Sequence, residues 1–239
     1  MNVTHSHSLW YKIVDNGDSG LTIIFDEMPS ENLTRKIVSL QQQIRNAFRD
    51  KYLDIIPAYQ SVTVLFNLLE ISKDNLKKTL SDILNKPTKP SNYQSRLLEI
   101  PVCYEFEYAK DLAELAKYCQ ITEQQVIDIH TSKTYLVHML GFLPSFLYLG
   151  GLSPQLFCPR KNNPATRIPA GSVGIGGGQT GIYPVESPGG WHIIGCTPLP
   201  MFDPTRDNPA IALPLDKIKF ISVGQSKFLE LQKQYKEPN

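Results

Sequence analysis

Residues 176–195 read GGGQTGIYPVESPGGWHIIG, and how this stretch is read decides what kind of domain the chain builds. Gly176 to Gly181 satisfy G-x-G-x-x-G, the spacing of a dinucleotide-binding turn. Such a turn needs a strand before the glycines and a helix after them, because the helix N-terminus supplies the amides and the positive dipole end that hold a pyrophosphate. Ser172 to Ile175 can be the strand. The next residues are Ile182-Tyr183-Pro184 and then Ser187-Pro188-Gly189-Gly190, and two prolines with two glycines in so short a span do not sustain a helix. A Walker-type loop is excluded as well, since no G-K-[S/T] occurs in the chain.

Glycine is therefore used here for backbone shape. Nine of the fifteen glycines lie between Gly171 and Gly195, a density that permits positive φ and close approach of a backbone or a ligand. Two readings stay open. The stretch is either a set of tight barrel turns, or a loop system in which Gln179, Thr180, Tyr183 and Trp191 present amide, hydroxyl, phenol and indole groups to a small molecule.

On either side of this stretch the chain has two textures. From Thr134 to Pro214 Pro and Gly punctuate short apolar runs without helical periodicity, which predicts a mostly β domain forming a closed or nearly closed barrel. Two short helices lead into it. One starts at Asp111 with Leu112, Leu115, Ala116 and Cys119 on a stripe; the other starts at Thr122 with Gln125 completing a capping box. Upstream, the runs 9–14 and 21–25 flank Asp15-Asn16-Gly17-Asp18-Ser19-Gly20, a hairpin signal. Ser30 caps a helix carrying Leu33, Ile37, Leu40, Ile44 and Phe48. A second strand pair (52–58 and 61–65) precedes a helix opened by Ser72. With 97–104 as the last strand, this gives the ferredoxin-like order. The class predicted is α+β, with a ferredoxin-like domain at 1–92 and a β-barrel domain at 93–239. The proline-containing segment 85–92 reads as a linker or an exposed loop near a domain boundary. Residues 217–235 read as a final strand and a charged amphipathic helix, anchored by Phe220, Phe228, Leu229 and Leu231, which covers its own domain or a partner.

A net charge of +1 without a Lys/Arg cluster excludes a nucleic-acid footprint. Cys103, Cys119, Cys158 and Cys196 form no C-x-x-C pair, so neither a zinc site nor a disulfide framework is expected. The N-terminal residues lack a signal-peptide run, no stretch approaches membrane-span length, and a cytoplasmic home follows.

The run Arg167-Ile168-Pro169-Ala170-Gly171-Ser172-Val173, continued by GGGQTGIYPVESPGGWHIIGCTPLPMFDP, resembles the allophanate hydrolase subunit 1 family, also called carboxyltransferase subdomain C/D. That family includes KipI-type proteins, described as the B-type component of 5-oxoprolinase. Ile100 to Tyr104, His130-Thr131, Met139 to Pro144 and Tyr148 to Leu152 agree with it. Two departures stand out. The family usually has Gly-Gly-Glu-Phe-Gly-Pro-Asp where this chain has Glu105 to Asp111, and a glycine where it has Ser145. The resemblance implies an N-terminal ferredoxin-like domain and a cyclophilin-like β-barrel. It implies an allophanate hydrolase subunit 2 type partner, which is the C-type component of 5-oxoprolinase, and a lactam-utilisation type protein as the A-type component. Together these would open 5-oxoproline to glutamate with ATP, held by the complex or by this chain, and no biotin is expected on this chain. The alternatives are a KipI-type inhibitor of a sensor histidine kinase and part of a urea or allophanate carboxyltransferase.

Opening an unstrained lactam requires activating the amide, and phosphorylation of its oxygen would do so. Arg167 and Arg160 are candidate cations, with the amides of Gly176, Gly177 and Gly178 as anion ligands. His130 ends a short helix, where it acts either as a general base or as a charge suited to the dipole. Gln179 and Thr180 hold a ligand or pin loop carbonyls, and Tyr183 with Trp191 form an aromatic wall or pack the barrel. His138 reads as structural. Ser187 is no nucleophile elbow, because G-x-S-x-G is absent, and no metal cluster is expected.

Overall fold

The structure, a computed structural model, describes residues 10–49, 52–86 and 91–236. His5, His7, the expected strand start at Leu9 and linker residues 87–90 lie outside them. The chain divides into two compact units, Met1–Tyr93 and Gln94–Asn239.

The first unit comprises β1 (Tyr11–Asp15), β2 (Gly20–Phe25), α1 (Glu31–Phe48), β3 (Tyr52–Pro57), β4 (Ser61–Phe66) and α2 (Lys73–Leu84). Ser30 Oγ accepts the Leu33 N–H at 3.1 Å and Ser72 Oγ that of Asn75 at 3.4 Å, so both helices start where their caps direct. Leu33, Ile37, Leu40, Ile44 and Phe48 form the buried face of α1 and share a core with Leu21, Ile23, Val62, Val64, Leu76 and Leu80. The antiparallel sheet runs β1-β2-β4-β3. The expected strand–helix–strand–strand–helix–strand order is thus corrected: two hairpins, each followed by a helix, make the unit. The edge meant for 97–104 is taken by β1. A hairpin closed over a few residues forms at far lower entropic cost than a contact with a segment some eighty residues away.

The segment from 97 belongs to the second unit. There β5 (Leu97–Val102) precedes α3 (Leu112–Cys119), α4 (Glu123–Ser132), β6 (Thr134–Leu140), β7 (Leu147–Gly150), a 3₁₀ turn at Pro154–Leu156, β8 (Ala165–Ile168), β9 (Ser172–Gly176), β10 (Gln179–Ile182), β11 (Ser187–Gly189), β12 (His192–Cys196), β13 (Lys217–Ser222) and α5 (Gln225–Lys236). Seven strands pair in the order β12-β9-β10-β7-β6-β13-β5, with β8 and β11 as a separate ribbon. β13 and β5 are parallel; the other pairs are antiparallel. The two edges meet at one point, where Cys103 and Cys196 exchange both backbone hydrogen bonds at 2.9 and 3.0 Å. The sheet is thereby a nearly closed barrel.

Just beyond that point β12 is bulged, and Asp111 takes the place of a neighbouring strand. Its N–H donates to Ile193 O at 2.9 Å and its carboxylate accepts the Ile193 N–H at 2.8 Å. Lys161 holds the other carboxylate oxygen at 2.6 Å. Gly195 is required at the seam, since a Cβ there would lie 2.6 Å from Val102 Cγ1 and 2.9 Å from Cys103 O. Inside sit Ile100, Val102, Tyr135, Val137, Leu147, Leu149, Val173, Ile175, Ile182, Ile194, Ile218 and Phe220, joined by Leu112, Leu115 and Val126 of the two short helices.

Two polar devices tie the ends of this unit. Asp216, fully buried, accepts the N–H groups of Arg96 at 3.0 Å and Leu213 at 2.9 Å and pairs with the Arg96 guanidinium. The segment that departs from the family pattern docks α5. Glu105 accepts the Gln225 N–H at 2.8 Å at the helix start, and Tyr108 packs on Phe228 with ring centroids 4.4 Å apart.

Candidate functional site

The turn joining β9 to β10 is where the glycines act. Gly177 has φ +65°, and its N–H donates to Cys158 O at 2.6 Å while its carbonyl accepts the Cys158 N–H at 3.2 Å. Gly178 lies under the Phe157 ring, and a Cβ there would be 3.1 Å from Cζ. The Gly177 amide is therefore engaged by protein, which corrects the expectation that it serves as an anion ligand.

Along β9 and β10, Val173, Ile175, Thr180 and Ile182 face the core, and Gly174, Gly176 and Gly181 alternate with them on the outer face. Aromatic rings rest directly on those glycines. A Cβ on Gly176 would lie 2.5 Å from Trp191 Nε1, and one on Gly181 would lie 3.1 Å from the Phe146 ring. The glycine density is thus a bed for an external apolar layer made of the rings of Phe146, Tyr183 and Trp191 together with Ile168 and Ile193. Phe146 meets Tyr183 edge-on at 5.0 Å and Trp191 at 5.5 Å.

Beside this layer a cleft of about 80 Å³ is lined by Phe142, Phe146, Tyr148, Arg160, Tyr183 and Trp191. Tyr183 and Trp191, expected as a wall, come together here with Arg160. Sequence reasoning misses Phe146 and Tyr148, whose signal is their alternation with inward Leu147 and Leu149. Burial pushes the Tyr183 phenol up to about 12 and raises that of Tyr148, against the smaller opposing pull of Arg160, so both phenols are donors at neutral pH. Phe142, exposed at 64%, and Ser145, buried, both have positive φ, +65° and +67°, a region that costs non-glycine residues about 1–2 kcal/mol. Ser145 stands where the family usually has glycine.

Arg160 also borders a second groove of about 430 Å³ with Glu114, Lys117, Tyr118, Lys161 and His192. His192 Nε2 donates to Pro159 O at 3.1 Å and lies 3.4 Å from Cys158 Sγ. Its Nδ1 has no partner among the described residues. Burial raises the Cys158 thiol, so this pair is not an activated nucleophile.

The other expected residues lie elsewhere. His130 is fully buried inside the barrel: Nδ1 is 2.8 Å from Tyr104 Oη, Nε2 is 3.1 Å from Thr180 Oγ1, and the ring stacks on Phe220 at 4.4 Å. Thr180 donates to Gly174 O at 3.0 Å, so it accepts from Nε2–H, and Nδ1 accepts the Tyr104 hydroxyl. Burial lowers the His130 pKa to about 3, which leaves the imidazole neutral with both nitrogens used. The general-base expectation for His130 and the ligand role for Thr180 are corrected accordingly: both are core hydrogen-bonding groups. Arg167 is exposed on β8, pairs with Glu186 at 2.8 Å and does not line the cleft. Gln179 is half-buried opposite Gly176. His138 sits at the β6 bulge with its ring against Gly150, and burial lowers its pKa. Among the described residues no group of three or more His, Cys, Asp or Glu could hold a metal ion, and no helix is long and apolar enough to cross a membrane.

Compared with known proteins, residues 11–212 match the carboxyltransferase domain, subdomain C and D. The chain is 37% identical over 228 residues to a Bacillus subtilis (strain 168) protein named as the B subunit of 5-oxoprolinase, covering 91% of this chain and 95% of that one. The solved structure of TTHA0988 is similar with a TM-score of 0.74 and 33% identity, over 85% of this chain and 39% of that chain. The chain thus spans about two-fifths of that longer protein. The Kluyveromyces lactis urea amidolyase has the same fold over 94% of this chain and 15% of its own, with a TM-score of 0.79 and 21% identity.

Proposed function

Because the chain belongs to the carboxyltransferase subdomain C and D family, we propose that it is one component of an ATP-dependent 5-oxoprolinase. In this reading its cyclophilin-like barrel contributes the aromatic cleft to a site completed by an allophanate hydrolase subunit 2 type protein, with a lactam-utilisation type protein in the same complex. The observation that carries this is the nearly end-to-end likeness to the Bacillus subtilis protein.

The dimensions of the cleft support a shared site. At about 80 Å³ it is smaller than the few hundred Å³ that usually enclose a small molecule, so one wall is here and the other comes from a second polypeptide. Arg160 suits the substrate carboxylate, and the neutral Tyr183 and Tyr148 phenols suit the lactam carbonyl. Phe146 and Trp191 exclude water. ATP would supply the phosphoryl group that activates the amide. The glycine hairpin does not fit it as a cradle, since the Gly177 amide is already donated to Cys158.

The test is reconstitution with the two partner-type proteins and measurement of glutamate released from 5-oxoproline with ATP. Activity that needs this chain, and a raised KM with Arg160→Ala, is expected. Full activity without the chain would remove the reading.

A further inference from the structure

The seam of the barrel is joined by two cysteines. Cys103 and Cys196 are direct cross-strand partners at the point where the β5 and β12 edges meet, and each donates its N–H to the other's carbonyl. A hydrogen-bonded antiparallel pair of this kind holds its Cα atoms about 5.5 Å apart, with both side chains on one face. That separation lies inside the roughly 4.4–6.8 Å range of disulfides, and the Cβ atoms, about 5.5 Å apart in such a pair, close by about 1 Å as the seam shifts to form the bond. Both thiols are free and belong to one small buried cluster with Phe228, bordered by Tyr108 and Val223.

We propose that Cys103 and Cys196 are an oxidation site at which a peroxide converts the barrel seam into a covalent bond. One thiol attacks the peroxide, the O–O bond breaks, and a sulfenic acid and one water form. The second sulfur then displaces that hydroxyl as another water, making the S–S bond. Two thiols give up two electrons and two hydrogens, and the peroxide is reduced to two waters. Cys103 is the better first nucleophile. Burial raises both thiols, Cys196 to about 12, but the Glu105 backbone N–H favours the Cys103 thiolate more than the nearby Glu105 or Glu107 carboxylate disfavours it. Cys196 Sγ rests 3.7 Å from Ala170 O and 3.6 Å from Thr197 O, so forming the bond requires it to leave these carbonyls by a change of rotamer.

Phe228 of α5 is 1% exposed over this pair, so oxidation waits on local opening of the terminal helix. The other two cysteines are differently placed. Cys119 is only partly buried, and Cys158 lies against His192.

The full chain would be treated with a small excess of hydrogen peroxide, quenched, alkylated under denaturing conditions and digested without reduction. Mass spectrometry should find the peptides of Cys103 and Cys196 joined, two hydrogens lighter than their sum and separable by dithiothreitol. The oxidised protein should melt at higher temperature. The link should form faster in Phe228→Ala, persist in Cys119→Ser and vanish in Cys103→Ser. Recovery of both residues as alkylated thiols, or of Cys103 as sulfinic acid beside an intact Cys196 thiol, would overturn the proposal. Because the wild-type peptide map decides the matter, a poorly folding serine variant does not obscure it.

Discussion

His130 gives the second unit a calculable weakness toward acid. Its imidazole is neutral in the folded state with a pKa lowered from 6.5 to about 3 by burial, whereas the unfolded chain takes up a proton near pH 6.5. The unfolded state therefore binds more protons between these values. Stability is fully present above pH 6.5, declines as pH falls, and levels off below about 3. One pKa unit corresponds to 1.36 kcal/mol, so this single group removes about 2 kcal/mol by pH 5 and about 5 kcal/mol in all. The control is His130→Gln, whose amide oxygen can accept from Tyr104 and whose NH₂ can donate to Thr180, but which does not titrate. Loss of the ring stacked on Phe220 should cost that variant about 2 kcal/mol at pH 7.5. The two stability curves should then cross near pH 5. The chain has two tryptophans, Trp10 and Trp191. Urea unfolding followed by Trp191 fluorescence in a Trp10→Phe background reports on the second unit. Other titrating groups, His138 included, cancel in the difference between variant and parent. Parallel curves from pH 7 to 4 would show that His130 is solvated or charged in the folded barrel, and the core assignment would fall.

Gly176→Ala should cost about 1–3 kcal/mol and red-shift the Trp191 emission, because the new methyl would lie 2.5 Å from Nε1 and 2.7 Å from Cγ of that ring. An unchanged spectrum and urea midpoint would mean that the ring does not rest on the strand. Ser145→Gly should raise the melting temperature slightly, relieving about 1–2 kcal/mol at φ +67° against roughly 0.5–1 kcal/mol of added chain entropy. A lower melting temperature would contradict the left-handed backbone there. Asp216→Ala should destabilise by about 2–4 kcal/mol, chiefly because it orphans the Arg96 and Leu213 backbone N–H groups, while the half-exposed Arg96 guanidinium is solvated. A shift below 1 kcal/mol in urea would indicate that water replaces the carboxylate.

What the sequence made legible was local. Ser30, Ser72 and the Thr122–Gln125 box cap helices, because a cap is decided within four residues. The barrel was legible from the short apolar runs, punctuated by Pro and Gly and free of helical periodicity, between Thr134 and Pro214. What stayed hidden was set by partners far along the chain. Residues 97–102 read correctly as a strand, but the choice of sheet is made by β13, about 120 positions later and in parallel register. His130 looks like a surface group at a helix C-terminus. Its burial depends on Tyr104 and Thr180, which lie 26 and 50 residues away. In the glycine run the spacing suggested a phosphate loop, whereas alternation of Gly174 and Gly176 with Val173 and Ile175 held the answer. Small residues on one face of a strand leave room for rings supplied by Phe146 and Trp191.

The parallel pairing of β5 with β13 sets an order of events during synthesis. While residues 217–222 are still within the ribosome, β5 lacks its flanking neighbour and β6 keeps one side open, so the cylinder stays unfinished until β13 has emerged. The first unit, whose strands and helices are all contributed before Tyr93, faces no such wait. A nascent polypeptide arrested shortly before Lys217 would carry a protease-resistant amino-terminal half attached to a tail that chaperones can still bind.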